Sequence, residues 1–278
     1  MSKKYINQTI KDIINCIKKL KFKSTDNIYI GVDLGKIFIS DYNKIFENNN
    51  LTLDEIRKYS VNEIIKNLKI YFKNGTIIVP SFNFEYFKKR KFNRNITKSS
   101  LGFFENSFIK KKGVLRSNHP VFSICAFGKK KNKILQPCGL FSFGQNSPFN
   151  SFIKNNVIFL NIGIPFKDTC TYVHHVEHLN GVNHRYYKAI SGKVYEKGKY
   201  IQKTYYSLVR YSFIKAQKAE YKIEKLLKNK KYLKEISNKK LYLSKVYAKD
   251  VFYCANEALQ KDPSFFLDKK TIVKINEQ

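Results

Sequence analysis

The 278-residue sequence predicts an α/β fold in a single domain over residues 1–278. Short apolar, β-branched runs at 28–32, 76–80, 121–128 and 157–162 read as buried strands. Segments whose apolar residues recur at helical spacing lie before and between them. No internal repeat and no linker of shifted composition divides the chain, so one domain with elaborations fits better than two.

Taken in order, Ile6, Ile10, Ile13, Ile14, Ile17 and Leu20 form an apolar stripe, which makes 5–22 an amphipathic helix. The strand at 28–32 runs out at Asp33-Leu34-Gly35. A helix over 52–72 opens with Thr52, and Glu55 three residues on completes a capping box. The strand at 76–80 closes on a proline. Residues 83–113 are polar and basic with little periodicity, and read as a long loop holding one helix near 101–111. The turn Arg116-Ser117-Asn118-His119-Pro120 leads into the strand at 121–128, and Ser147-Pro148 marks a helix start. Past the strand at 157–162 and Gly163 comes a histidine-rich helix. From about 192 the texture changes: 192–200 reads as a hairpin with a glycine turn. A helical elaboration begins at about 213 with a charged helix over 213–229, and a last helix over 248–259 precedes Asp262-Pro263.

Composition narrows the function classes. Hydrophobic residues make up 43% of the chain, enough for a packed globule. No apolar stretch approaches the ~20 residues of a membrane helix, and the first residues lack the apolar core of a signal peptide. Five scattered cysteines (Cys16, Cys125, Cys138, Cys170, Cys254), never spaced as CxxC, point to reduced thiols in a cytoplasm rather than a structural zinc site. The formal net charge is +32, from 53 basic and 21 acidic residues, yet only six of the basic residues are arginine. Phosphate and base readers draw heavily on arginine, whose fork binds oxygen pairs. Nucleic acid is therefore not the expected main partner, although a basic surface favours anionic ligands, nucleotide-linked ones included.

Four of the five histidines fall within 174–184. His174 and Glu177, three residues apart on a helix, share one face and can pair as base and carboxylate. Such a pair holds an imidazole ready to take a proton from a nucleophile; the competing reading is a solvated polar helix end. His174 and His178 also have the i, i+4 spacing of helix-borne zinc ligands, but Glu177 is misplaced for HExxH, and no metal is expected. The 116–120 turn collects an arginine, a hydroxyl and an imidazole beside a rigid proline, a set able to hold a phosphate or pantetheine-like chain. Its competing reading is a structural turn with His119 satisfied by the backbone.

In this order, the pieces resemble the aminoglycoside 3-N-acetyltransferase family, which is distinct from the GNAT acetyltransferases. The resemblance rests on the Arg-Ser-x-His-Pro segment running from Arg116 to Ala126, the Gly-x-x-Ser-Pro loop from Gly144 to Pro148, and an Asp-x-x-Thr-x-x-His-x-x-Glu segment matching Asp168, Thr171, His174 and Glu177. It implies an αβα arrangement, a central sheet with helices on both faces, and acetyl transfer from acetyl-CoA to an amine. It also implies His174 as general base, with Glu177 and Asp168 as supporting carboxylates. CoA is expected against Val32, Asp33 and Leu34 and along Arg116, Ser117, His119 and Ser123. The acceptor is expected near Glu177, His175, His178 and Glu105.

Two departures from the family pattern bear on substrate. The turn after the first strand reads Gly31-Val32-Asp33-Leu34-Gly35 where a His-Ser-Ser-like turn is usual, and Asn106, next to Glu105, stands where an acidic residue is common. So few acidic residues fit a polycationic aminoglycoside poorly, and the expected acceptor is an amino sugar, free or nucleotide-linked. The alternative from another class is a basic protein binding polyanions or nucleic acid on a degenerate acyltransferase scaffold. The sequence leaves the acyl group and any homo-oligomer open.

Overall fold

The computed structural model describes residues 2–38, 52–212 and 219–267. Its frame is a seven-stranded mixed sheet in the order β4-β5-β2-β1-β6-β10-β9. The strands are β1 (Asn27–Val32), β2 (Thr76–Pro80), β4 (Leu115–Arg116), β5 (Ile124–Gly128), β6 (Val157–Ile162), β9 (Lys234–Ser237) and β10 (Tyr242–Tyr247). β1 lies parallel to both β2 and β6, in register from Asn27↔Val157 to Val32↔Ile162. The outer strands are antiparallel: β5 on β2, β4 on β5, β10 on β6 and β9 on β10.

The central strands are apolar throughout because both faces of the sheet are covered. Ile28, Ile30, Ile158 and Leu160 pack under the helices Ser2–Lys19 and Leu53–Tyr71, with Phe104 and Phe108 of the helix Phe103–Ile109. Tyr29 and Phe159 point the other way. They meet Val173 and Val176, with Ile223 and Leu227 of the helix Ala219–Asn229 and Val251 and Ala255 of the helix Ala248–Lys261. This is the αβα arrangement that the family resemblance implied. The Thr52–Glu55 capping box forms as expected. Lys245, buried on β10, donates to the carbonyls of Leu20 and Lys21 and ties the end of the first helix to the sheet.

A second sheet comprises β3 (Lys91–Phe92), β7 (Arg185–Glu196) and β8 (Lys199–Arg210). Its hairpin turns at Lys197 and Gly198, both at positive φ, as a two-residue hairpin loop requires. The expected hairpin at 192–200 is thus the tip of two twelve-residue strands. Phe92, Val121, Ile190, Val194 and Tyr205 bury its inner face.

Some elements differ from expectation. The first helix spans Ser2–Lys19 rather than 5–22. The strand expected at 121–128 begins only at Ile124, because the N–H groups of Val121 and Phe122 donate to His119 Nδ1 instead of to a neighbouring strand. The stretch at 83–113 holds β3 and the short helix Tyr86–Lys89 besides the helix Phe103–Ile109. Beyond 213 the chain contributes β9 and β10 as well as helices. Of the helix expected over 213–229, residues 213–218 lie outside the described residues and the rest is the helix Ala219–Asn229. Among the described residues, no helix is long and apolar enough to cross a membrane.

Candidate active site

β1 and β6 end side by side, and the chain leaving β6 folds back over the end of β1. Gly31 permits this approach: a Cβ there would stand 2.6 Å from Thr169 Cγ2 and 2.9 Å from Asn161 Oδ1. Thr169 Oγ1 lies 2.9 Å from Asn161 Oδ1, and Asn161 in turn donates to Ser244 Oγ on β10. The segment continues into the histidine helix, Val173–Leu179.

His174 and Glu177 pair there, with Nδ1 2.6 Å from Oε2. The helix alone does not complete the arrangement. His184 Nε2 lies 2.9 Å from Glu177 Oε1, and Arg185 Nε stands 2.7 Å from Oε2 as an ion pair outside hydrogen-bond alignment. Burial would raise the Glu177 carboxyl, but His174, His184 and Arg185 together hold it well below the ordinary carboxylate value. An ionised carboxylate only accepts, so Nδ1 of His174 carries the hydrogen, and in the neutral ring Nε2 carries the lone pair. The Glu177 side chain is 1% exposed and that of His174 is 17% exposed. The imidazole can therefore be reached while its partner cannot.

Of the other expected catalytic and acceptor residues, His175 and His178 lie on the same helix and Asp168 and Glu105 lie on other elements. His175 is buried, accepts from Gly144 N through Nδ1 and stacks on Tyr172; burial, with a smaller effect from His178, pushes it down to about 4. His178 is half-buried, one helical turn after His174, with Tyr187 edge-on to it at 5.2 Å. Asp168 is exposed at the end of the 3-10 turn Phe166–Asp168 and takes no part in the bonds around Glu177. Glu105 is buried on the helix Phe103–Ile109, where burial lifts its carboxyl to about 7.

The segment expected to hold CoA is a dense internal network. Arg116 donates through Nε to Ser123 Oγ and through its two terminal nitrogens to the carbonyls of Thr97 and Ser81. It lies against the Phe92 ring, and burial lowers it to about 10. Ser117 Oγ accepts from Ile124 N, and Ser123 Oγ donates to Ser81 O. His119 is fully enclosed; burial pushes it down to about 3. Because its Nδ1 accepts from Val121 and Phe122, its Nε2 carries the hydrogen toward Tyr206 O, 3.4 Å away. At the other end, Val32 and Leu34 are half-buried, and Asp33 accepts from Lys36 N as the cap of the short helix Leu34–Phe38. Among the described residues, no group of three or more His, Cys, Asp or Glu side chains is arranged to hold a metal ion.

The partners missed in the sequence are His184 and Arg185. They reach Glu177 only because a turn after the helix brings the start of β7 back onto it, and no fixed spacing announces that closure. The presence of His184 in the histidine cluster was the available signal.

A mixed α/β sheet with its polar cluster beyond the carboxyl ends of parallel strands defines a class: enzymes that work at that edge. Residues 54–260 match the family described as aminoglycoside 3-N-acetyltransferase. The chain belongs to that family, whose members are acetyl-CoA-dependent N-acetyltransferases. Solved structures agree in fold. Aminoglycoside acetyltransferase AAC(3)-IVa, as apoenzyme, is 17% identical with a TM-score of 0.68, covering 93% of this chain and 91% of its own. AAC-IIIb, as a binary complex with CoASH, is 16% identical with a TM-score of 0.72, covering 92% and 96%. The YokD protein from Bacillus subtilis is 20% identical with a TM-score of 0.65, covering 90% and 96%. No curated protein is similar enough in sequence to count as a relative.

Proposed function

We propose that the whole chain acts as one acyltransferase unit, moving the acetyl group of acetyl-CoA to the amine of an amino sugar, free or nucleotide-linked, with His174 as general base. The observation that carries this reading is the 2.6 Å contact between His174 Nδ1 and a buried, ionised Glu177, which leaves Nε2 basic. In the step, the amine nitrogen attacks the thioester carbonyl, the carbon–sulfur bond breaks and CoA departs as its thiolate. The amine proton passes to Nε2 and on to the sulfur. Glu177 orients the ring and does not bind the acceptor, since both of its oxygens are engaged.

CoA lies against Val32–Leu34 and the 116–123 segment, and the solved structure of AAC-IIIb as a complex with CoASH supports CoA as the donor. Arg116, Ser117, His119 and Ser123 then act by holding that segment's main chain in shape, because their side chains are buried and bonded internally. A charge of +32 favours an anionic or neutral acceptor over a polycation. Isothermal titration with acetyl-CoA tests the donor half: saturable, micromolar binding with a matching thermal shift is expected. Absence of both overturns the reading.

A further inference from the structure

Phe141, Tyr187 and Tyr206 form an aromatic face joined to the histidine helix. Residues 140–142 run along β8: Tyr206 N donates to Leu140 O and Ser142 N donates to Tyr206 O, both at 2.9 Å. That puts Phe141 in register with Tyr206, and their rings stack 4.7 Å apart at 16°. On β7, Tyr187 stands edge-on to Phe141 at 4.8 Å and donates its hydroxyl to Phe143 O. The Tyr187 ring also meets His178, and the Phe143 ring meets His174 edge-on at 6.1 Å. The Tyr187 hydroxyl on Phe143 O joins these two sets of ring contacts, one at His174 and one reaching Phe141.

Phe141 is 43% exposed although one of its faces is covered by Tyr206, which leaves an open ring joined through Tyr187 to His178, one helical turn from His174. The carboxylate in this neighbourhood, Glu177, is buried and engaged by three partners. Such a surface recognises the flat or apolar face of a ring, and the engaged Glu177 offers no free oxygen to a polycation. We infer that Phe141, backed by Tyr206 and Tyr187, is the platform on which the acceptor lays a ring face while its amine reaches His174. This rests on the acceptor class proposed above. The ring can come from the pyranose itself or from a nucleobase attached to it.

Binding of glucosamine and of a uridine-diphosphate-linked amino sugar, each with CoA present, separates the sources by ligand-observed NMR titration. Phe141→Ala is expected to weaken binding about tenfold or more for the probe whose ring it stacks, the range stacking commands, and Phe141→Trp to restore it. Loss confined to the nucleotide-linked probe assigns the base; loss for both assigns the sugar. Equal binding by wild type and Phe141→Ala, or no binding of either probe, overturns the platform. If binding and its loss in Phe141→Ala hold but no amine elicits CoA release, the platform stands and the transferase reading falls.

Discussion

Glu177 has two oxygens and three neighbours, and that arrangement decides what it does for His174. Arg185 already balances its charge, so its service to His174 is mainly to fix the tautomer and the ring plane. His174→Ala is expected to cut kcat by about 10²–10⁴-fold, the usual range for a lost general base, with the acetyl-CoA Kd unchanged; titration and steady-state assay together check this. Glu177→Gln leaves Arg185 and two imidazoles without their anion and should cost about 3 kcal/mol at neutral pH. A carboxyl held below its ordinary 4.5 contributes stability that is present above 4.5 and lost as pH falls through its folded value. The gap between wild type and Glu177→Gln, measured by urea unfolding at pH 7, 4.5 and 3, should therefore narrow toward pH 3. An unchanged gap contradicts the ionised assignment. Of this cluster, the sequence disclosed the pair made by helical spacing, His174 and Glu177. Arg185 stayed hidden because its approach depends on the tertiary turn into β7.

At the scale of elements, the loop at 143–149 and the histidine helix are fitted to each other. Gly144 sits at φ +96, and a Cβ there would stand 2.5 Å from His178 Nε2. Gly144→Ala should destabilise by roughly 1–3 kcal/mol through backbone strain and crowding, read as a lowered urea midpoint; a neutral result would mean that the loop shifts freely. The central strands were legible because burial on both faces writes itself as an unbroken apolar run. β10 was not, since Tyr-Leu-Ser-Lys-Val-Tyr carries Ser244 and Lys245 into the interior. Their burial makes sense only beside Asn161 and the carbonyls of Leu20 and Lys21. The Arg-Ser-x-His-Pro turn shows the converse: its residues stood out in the sequence, but their consumption by Ser81, Thr97 and Tyr206 could not be seen there.

Across the whole molecule, buried titratable groups set opposing pH trends. His119 and His175, held at about 3 and about 4, stay neutral when folded. Their contribution is present above 6.5 and is lost as pH falls below it. Glu105, lifted to about 7, contributes stability that is full below 4.5 and lost as pH rises through 7. Glu105→Gln should accordingly stabilise the fold at pH 8, by on the order of 2 kcal/mol, and leave its stability nearly unchanged at pH 5, both read by urea unfolding. A drop at both pH values would show that the carboxyl is structurally required. The fold and the family describe an acetyl-CoA-dependent N-acetyltransferase, and the dyad and the basic surface support the proposed ring-bearing amine as its acceptor. The most direct measurement is steady-state release of free CoA from acetyl-CoA, with an amino-sugar panel, by wild type and His174→Ala. The account predicts acceptor-dependent release by wild type and its near-complete loss in the variant, which still binds acetyl-CoA. Equal release by the two proteins would contradict it.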